Sequence, residues 1–195
     1  EGRTVFTDTA IKEGYNLDYL VKTGLTIRVE NEQNPEEKAK YYDRFAGRVI
    51  FPIHNITGRV IGFGGRALKK EVKAKYVNSP ESEIYHKSNV LYGMSVARKA
   101  IANEDNCFLV EGYMDVISMH IVGIENVVAS SGTSLTVEQI RLIKRYTNNI
   151  TIMYDGDPAG IKASFRGIDM ILEEGLNVRV VLFPEGDDPD SYSQK

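Results

Sequence analysis

The sequence predicts an α/β protein: an N-terminal mixed α+β subdomain over residues 1–100, then a Rossmann-like parallel sheet flanked by helices over residues 101–195. Three observations lead there. From Cys107 onward, short apolar runs alternate with amphipathic stretches, the pattern of βα units in a parallel sheet. Before that point, two β-rich runs flank a glycine-containing turn, which makes a hairpin rather than a crossover. The two halves also differ in charge, with 17 basic and 12 acidic residues up to residue 100 and 7 against 15 after it.

Along the chain, Thr9 to Gly24 carries a short helical face of Ile11, Leu17, Leu20 and Val21, and Glu30 to Lys40 reads as a polar linker. Strands are predicted at Arg48 to Ile53 and Arg59 to Gly65, joined through His54-Asn55-Ile56-Thr57-Gly58. A helix follows near Ser95 to Ala102. The second half gives strands at Cys107 to Val110, Asn126 to Ala129, Ile150 to Tyr154 and Val178 to Leu182. Helices fall near Met114 to Val122, Val137 to Arg145 and Pro158 to Glu174. Thr136 with Gln139 fits a capping box, and Asp157-Pro158 fits an N-cap followed by a first-turn proline.

An apolar content of 42% suits a globular protein with a real core. No apolar run approaches the roughly 20 residues that cross a bilayer, and no leader pattern opens the chain, so a cytoplasmic location without membrane contact is expected. One cysteine, Cys107, excludes an internal disulfide, and it reads as a small apolar residue entering a buried strand. His54, His86 and His120 stand too far apart for zinc-ligand spacing. Because the chain opens on Glu1 and stops after an acidic loop, a piece of a longer protein is expected.

In an open parallel sheet, ligands bind beyond the carboxyl ends of the strands. Three of the four predicted exits are acidic. The first runs into Glu111-Gly112 with Asp115 one turn on, the third into Asp155-Gly156-Asp157, and the fourth leads to Asp187-Asp188-Pro189-Asp190. Carboxylates crowded on one rim raise one another's pKa, and divalent cations relieve that cost. An oxygen-only donor set selects hard ions, Mg²⁺ or Mn²⁺, over zinc. Two readings stand for Asp157, as helix cap or as ligand, and two for Asp187 to Asp190, as solvated turn or as metal site. Glu111 ends an apolar strand, where it has no local backbone role.

Eight basic residues and one acid lie between Arg44 and Lys75, a partner for an anionic surface. Gly62-Phe63-Gly64-Gly65-Arg66-Ala67 matches a dinucleotide fingerprint after a strand, but no amphipathic helix follows, and the reading fails on context. No G-x-x-x-x-G-K-[ST] occurs, so the chain carries no helicase motor.

Val110-Glu111-Gly112-Tyr113-Met114-Asp115-Val116, Tyr154-Asp155-Gly156-Asp157-Pro158-Ala159-Gly160 and Asp188-Pro189-Asp190 together resemble the TOPRIM domain of bacterial primases, topoisomerases and some nucleases. Upstream, Asp43-Arg44-Phe45, Arg48 to Ile53, Gly58 to Arg66 and Lys75-Tyr76-Val77-Asn78-Ser79-Pro80-Glu81 resemble the bacterial DnaG-type primase core. His86-Lys87, Leu91-Tyr92-Gly93 and Ala129 to Thr136 continue the likeness. It covers roughly Asp43 to Tyr192. Such primases begin with a zinc-binding domain and end with a helicase-binding domain, neither of which is here, and most of the helical subdomain expected after Asp190 is also missing.

The resemblance implies metal-dependent synthesis of a short RNA primer from NTPs on a single-stranded DNA template, with two or three Mg²⁺ ions that Mn²⁺ can replace. It implies metal-binding and catalytic roles for Glu111, Asp155 and Asp157, and a neighbouring ion for Asp188 and Asp190. Asp115 touches metal through water or orients its neighbours. Arg66, Lys75 and Lys87 are expected on template or nucleotide phosphates, with Asn78 and Ser79 as neutral donors and Arg44, Arg48 and Arg59 as further candidates. Tyr76 either stacks on a base or packs. In the full-length protein, a replicative helicase is the expected partner, through a domain outside this chain. Two rival readings stand: a topoisomerase or nuclease using the same acidic rim, and a core that binds metal, nucleotide and DNA without turnover. None of the tyrosines carries a motif that marks a topoisomerase nucleophile.

Overall fold

The computed structural model describes residues 3–31, 38–132, 134–154, 158–184 and 186–195, without the side chains of 158–164. Two compact units result: residues 1–52 with 61–85, and residues 53–60 with 86–195. The division predicted at residue 100 falls inside a helix, Met94–Glu104, whose Ala97 and Ile101 are fully buried.

In the first unit, the predicted helical stretch is two helices, α1 (Val5–Lys12) and α2 (Leu17–Lys22). They part at Gly14, whose φ of 89° ends α1, and at Asn16, whose side chain accepts from Asp18 N (2.8 Å) to start α2. Two short strands that the sequence pattern did not reveal follow, β1 (Thr26–Val29) and β2 (Lys40–Asp43), paired antiparallel. Residues 32–37 of the predicted linker lie outside the described residues. Asp43, on β2, accepts from the backbone amides of Phe6 (2.8 Å) and Thr7 (2.9 Å), so a distant carboxylate caps the orphan donors of α1.

A second sheet has the order β3 (Arg48–His54), β4 (Val60–Ala67), β5 (Tyr76–Asn78). The predicted hairpin between β3 and β4 is present. Its turn is set by Asn55, whose side chain accepts from the amides of Thr57 and Arg59, and by Gly58 at φ 86°. The glycines of the dinucleotide-like string serve packing instead. A Cβ on Gly62 would lie 3.1 Å from the Tyr85 ring, and one on Gly65 2.7 Å from that of Phe45.

The second unit holds α3 (Met94–Glu104) and four parallel strands in the order β7-β6-β8-β9. These are β6 (Cys107–Val110), β7 (Val127–Ala129), β8 (Asn149–Tyr154) and β9 (Asn177–Leu182). The crossovers are α4 (Tyr113–Ile121), α5 (Val137–Lys144) and α6 (Pro158–Glu173), with a final short α7 (Pro189–Ser193). Every predicted strand and helix of this half is present. One core joins Leu109, Val128, Ile150 and Ile152 of the sheet to Ile101, Ile140, Ile143 and Ile171 of the helices; a second gathers Val110, Val116, Met119 and Phe183.

The capping box forms as predicted: Thr136 Oγ1 accepts from Gln139 N, and Gln139 Oε1 from Thr136 N, both at 3.2 Å. Gln139 is fully buried, and its Nε2 donates to the carbonyls of Val90 (2.8 Å) and Lys87 (3.2 Å), holding the segment before α3 against α5. That segment then bridges the sheet edge, Tyr92 exchanging two backbone bonds with Ala129. Gly93 follows at φ 87°, where a Cβ would sit 3.1 Å from the Val127 carbonyl. The Leu91-Tyr92-Gly93 string is therefore a packing signature.

Candidate active site

In the order β7-β6-β8-β9, the chain leaves β6 toward one side and β8 toward the other. The crevice at their carboxyl ends is the topological switch point, where open α/β sheets bind ligands. Glu111 is the residue that follows β6. Its backbone carbonyl accepts from Ser131 N (3.0 Å), which ties the β6 exit to the β7 exit, and its Oε1 is enclosed by protein. Tyr154 ends β8; its hydroxyl is pushed well above the usual phenol range by burial and then by the nearby Glu111 charge.

Glu111 lines a cavity of about 450 Å³ with Ser130, Gly132 and Ser134 from the β7 exit, Leu135, Tyr154, and Arg166, Gly167 and Met170 of α6. Ser131 in this rim has φ 51°, a left-handed backbone rarely kept by a non-glycine residue unless its surroundings enforce it. Asp155 and Asp157, with the predicted helix cap at Asp157, lie outside the described residues. Among the described residues no three His, Cys, Asp or Glu side chains converge as a metal-holding group.

The other acids are placed by specific partners. Asp115 is 8% exposed, and its Oδ2 accepts from Gly112 N (2.8 Å), bracing the turn that carries Glu111. Asp188 is the N-cap of α7, with Oδ1 accepting from Ser191 N (2.6 Å) and Pro189 at the first helical position. Asp190 Oδ1 accepts from Ser118 Oγ on α4 and from Gln194 Nε2 (3.0 Å). Both aspartates thus spend Oδ1 on structure, and each Oδ2 has no hydrogen-bond partner among the described residues. Asp187 pairs with Lys195 at 2.6 Å, and that hydrogen bond holds its carboxyl below the usual range.

The placed donors are carboxylates alone, with no cysteine or histidine among them, and two keep an open oxygen. That set fits a hard divalent ion.

The basic candidates separate by environment. Arg66 and Lys75 each place their cation 5.9 Å from the ring centroid of Tyr76, Arg66 from β4 and Lys75 from the residue before β5. Asn78 pairs with Gly64 in the register of the same two strands. Arg44 donates through Nε to Gly24 O (2.6 Å), and Arg48 through Nη1 to Gly65, Ala74 and Lys75 carbonyls. Ser79 is 1% exposed, and its Oγ accepts from Phe63 N. Arg59 stands exposed beside the hairpin turn, and Lys87 opens a short 3-10 turn of the second unit.

Three contributors to the rim carry no acid and so escape a reading of strand exits for carboxylates. The second exit, Ser130 to Ser134, had its run of small polar residues as the available signal. Arg166 and Ser118 had none, because only the tertiary fold brings them to the rim.

Residues 1–98 match the family described as DNA primase catalytic core, N-terminal domain, and residues 108–193 match the Toprim-like family. The chain is 45% identical over 189 residues to the DNA primase of Halalkalibacterium halodurans, covering 97% of this chain and 30% of that protein. Against the crystal structure of the zinc-binding and RNA polymerase domains of Aquifex aeolicus primase, the TM-score is 0.87 at 37% identity, covering 99% of this chain and 46% of that one. A structure of the DnaG primase catalytic domain bound to ssDNA gives 0.82 at 41% identity over 96% of this chain and 60% of the other. The chain spans about 30% of the length of the curated relatives it matches.

Proposed function

The chain belongs to the DnaG-type DNA primase catalytic-core family, and from that premise we propose that it is the nucleotidyl-transfer core of a primase, making short RNA from NTPs on single-stranded DNA. The observation that carries this reading is Glu111, set at the sheet's switch point in a Toprim-like half that directly follows a primase-core N-terminal half.

Glu111, Asp155 and Asp157 would hold the central divalent ions, and Asp188 and Asp190, through their open Oδ2 atoms, a neighbouring one. Mg²⁺ is the resident ion and Mn²⁺ replaces it, in a total of two or three. Such ions, when bound, make a 3′-hydroxyl a better nucleophile toward the α-phosphorus of the incoming nucleotide and neutralise charge on the departing pyrophosphate. The protein's own contribution is placement. Asp115 braces the backbone turn just after Glu111, and Ser118 and Ser191 orient Asp190 and Asp188.

Arg66 and Lys75, stacked about Tyr76, contact template or nucleotide phosphates, with Asn78 beside them and Lys87 and Arg59 as further contacts. Arg44, Arg48 and Ser79 shape that surface through the bonds they make to backbone. A replicative helicase engages the full-length protein through a domain outside this chain.

The test is RNA synthesis on a single-stranded template with NTPs and Mg²⁺, comparing the wild type with Asp155→Ala and Glu111→Ala. Product is expected from the wild type alone. Undiminished product from both variants would refute the metal assignment, and DNA cleavage without RNA synthesis would favour a nuclease.

A further inference from the structure

We propose that Arg166 grips the phosphates of the nucleoside triphosphate in the cavity beside Glu111. The inference rests on the nucleotidyl-transfer reading and adds a positioning residue that none of the sequence motifs above contains.

Arg166 is the cation of that cavity, and Glu111 its acid, among the described lining residues. Its guanidinium has no hydrogen-bond or ion-pair partner among the described residues, whereas Arg141, also exposed, is held by Glu174 in two bonds of 2.9 Å. An exposed arginine on a cavity wall, without a carboxylate partner among the described residues, presents its planar fork to an incoming anion. Its place on the fold supports that role. Side chains on a helix tilt toward the N-terminus, and the N-terminus of α6 lies next along the chain from the exit of β8. The next residue, Gly167, is buried, and a Cβ there would stand 3.2 Å from Ile152 on β8; the helix therefore lies close on the sheet.

Ser130 provides a second, independent observation. It is 8% exposed, it lines the same cavity, and its hydroxyl has no hydrogen-bond partner among the described residues. A hydroxyl on the cavity wall that no described protein group engages is open to donate to a ligand oxygen. A guanidinium and a hydroxyl across a cavity from a metal-binding carboxylate form a phosphate subsite. The volume, about 450 Å³, suits a nucleotide rather than a nucleic-acid strand.

The experiment measures equilibrium affinity for ATP and for inorganic triphosphate, in Mg²⁺, for the wild type, Arg166→Ala and Arg166→Lys. Affinity for a single-stranded oligodeoxynucleotide and thermal midpoint are followed alongside. Arg166→Ala is expected to weaken both phosphate ligands about tenfold or more, the scale of one charge-assisted pair. Arg166→Lys should recover part of the loss, with oligonucleotide affinity and midpoint unchanged. Unaltered ATP affinity in Arg166→Ala would overturn the proposal, as would a loss confined to the oligonucleotide. If the wild type binds ATP and loses it in Arg166→Ala yet makes no RNA, the primase reading falls and the phosphate site stands. If the wild type binds no ATP, both fall.

Discussion

Glu111 and Asp190 show what a residue can and cannot announce. A glutamate ending an apolar strand was readable because no backbone role explains it there. The role of Asp190 was ambiguous in sequence, since a turn and a metal site both use aspartate near proline. Ser118, 72 residues away, decides where its carboxylate points, and no local pattern reports such a pair. Ser118→Ala should lower apparent Mg²⁺ affinity in RNA synthesis by about tenfold, as loss of an outer-shell partner does, with little change in thermal midpoint. An unchanged Mg²⁺ titration would detach Asp190 from the metal. Asp187 titrates separately. Its carboxyl is held down by the hydrogen bond to Lys195, so the stabilisation is present above the unfolded-state carboxylate pKa and is lost as pH falls through the lower folded value. Asp187→Asn should therefore lower stability slightly at neutral pH, where the pairing with Lys195 is in force, and flatten the acid limb, so that the two proteins converge once pH falls below the folded value. Denaturant midpoints across that limb check it.

Among elements, those with a regular hydrophobic period were legible and those made by distant pairing were not. β6 to β9 and α4 to α6 follow from alternation of apolar runs with amphipathic ones. β1, β2 and β5 have four, four and three residues, too few for a period, and they exist because a partner strand supplies their hydrogen bonds. α7 has five residues and depends on the Asp188 cap and first-turn Pro189. The capping box at Thr136 was readable, but the second duty of Gln139, to the Val90 and Lys87 carbonyls, was not. Gln139→Ala should destabilise the second unit by about 2–4 kcal/mol, from a missing cap, two buried carbonyls left without a donor and a small void. Denaturant unfolding should show a lower midpoint with an unchanged slope. Gly93→Ala, which forces a side chain onto φ 87° and toward the Val127 carbonyl, should cost about 1–3 kcal/mol by the same measurement.

Over the whole molecule, the charge division between basic and acidic halves pointed to two kinds of partner, an anion and a cation, without saying where either would sit. Arg66→Ala with Lys75→Ala should weaken oligonucleotide binding and lower the slope of log affinity against log salt by about one to two, one for each phosphate no longer neutralised. An unaltered slope would move the strand elsewhere. No helix of the described residues is long and apolar enough to cross a membrane.

The central claim, that Glu111 anchors divalent-metal chemistry at the switch point of a primase core, is tested most directly by nucleotide incorporation into RNA on a single-stranded template, measured against Mg²⁺ concentration for the wild type and Glu111→Gln. Incorporation by the wild type should rise from nothing to a plateau, while Glu111→Gln, which keeps the side chain's size and removes its charge, should reach at most about one hundredth of that plateau. Superimposable titrations for the two proteins would contradict the claim.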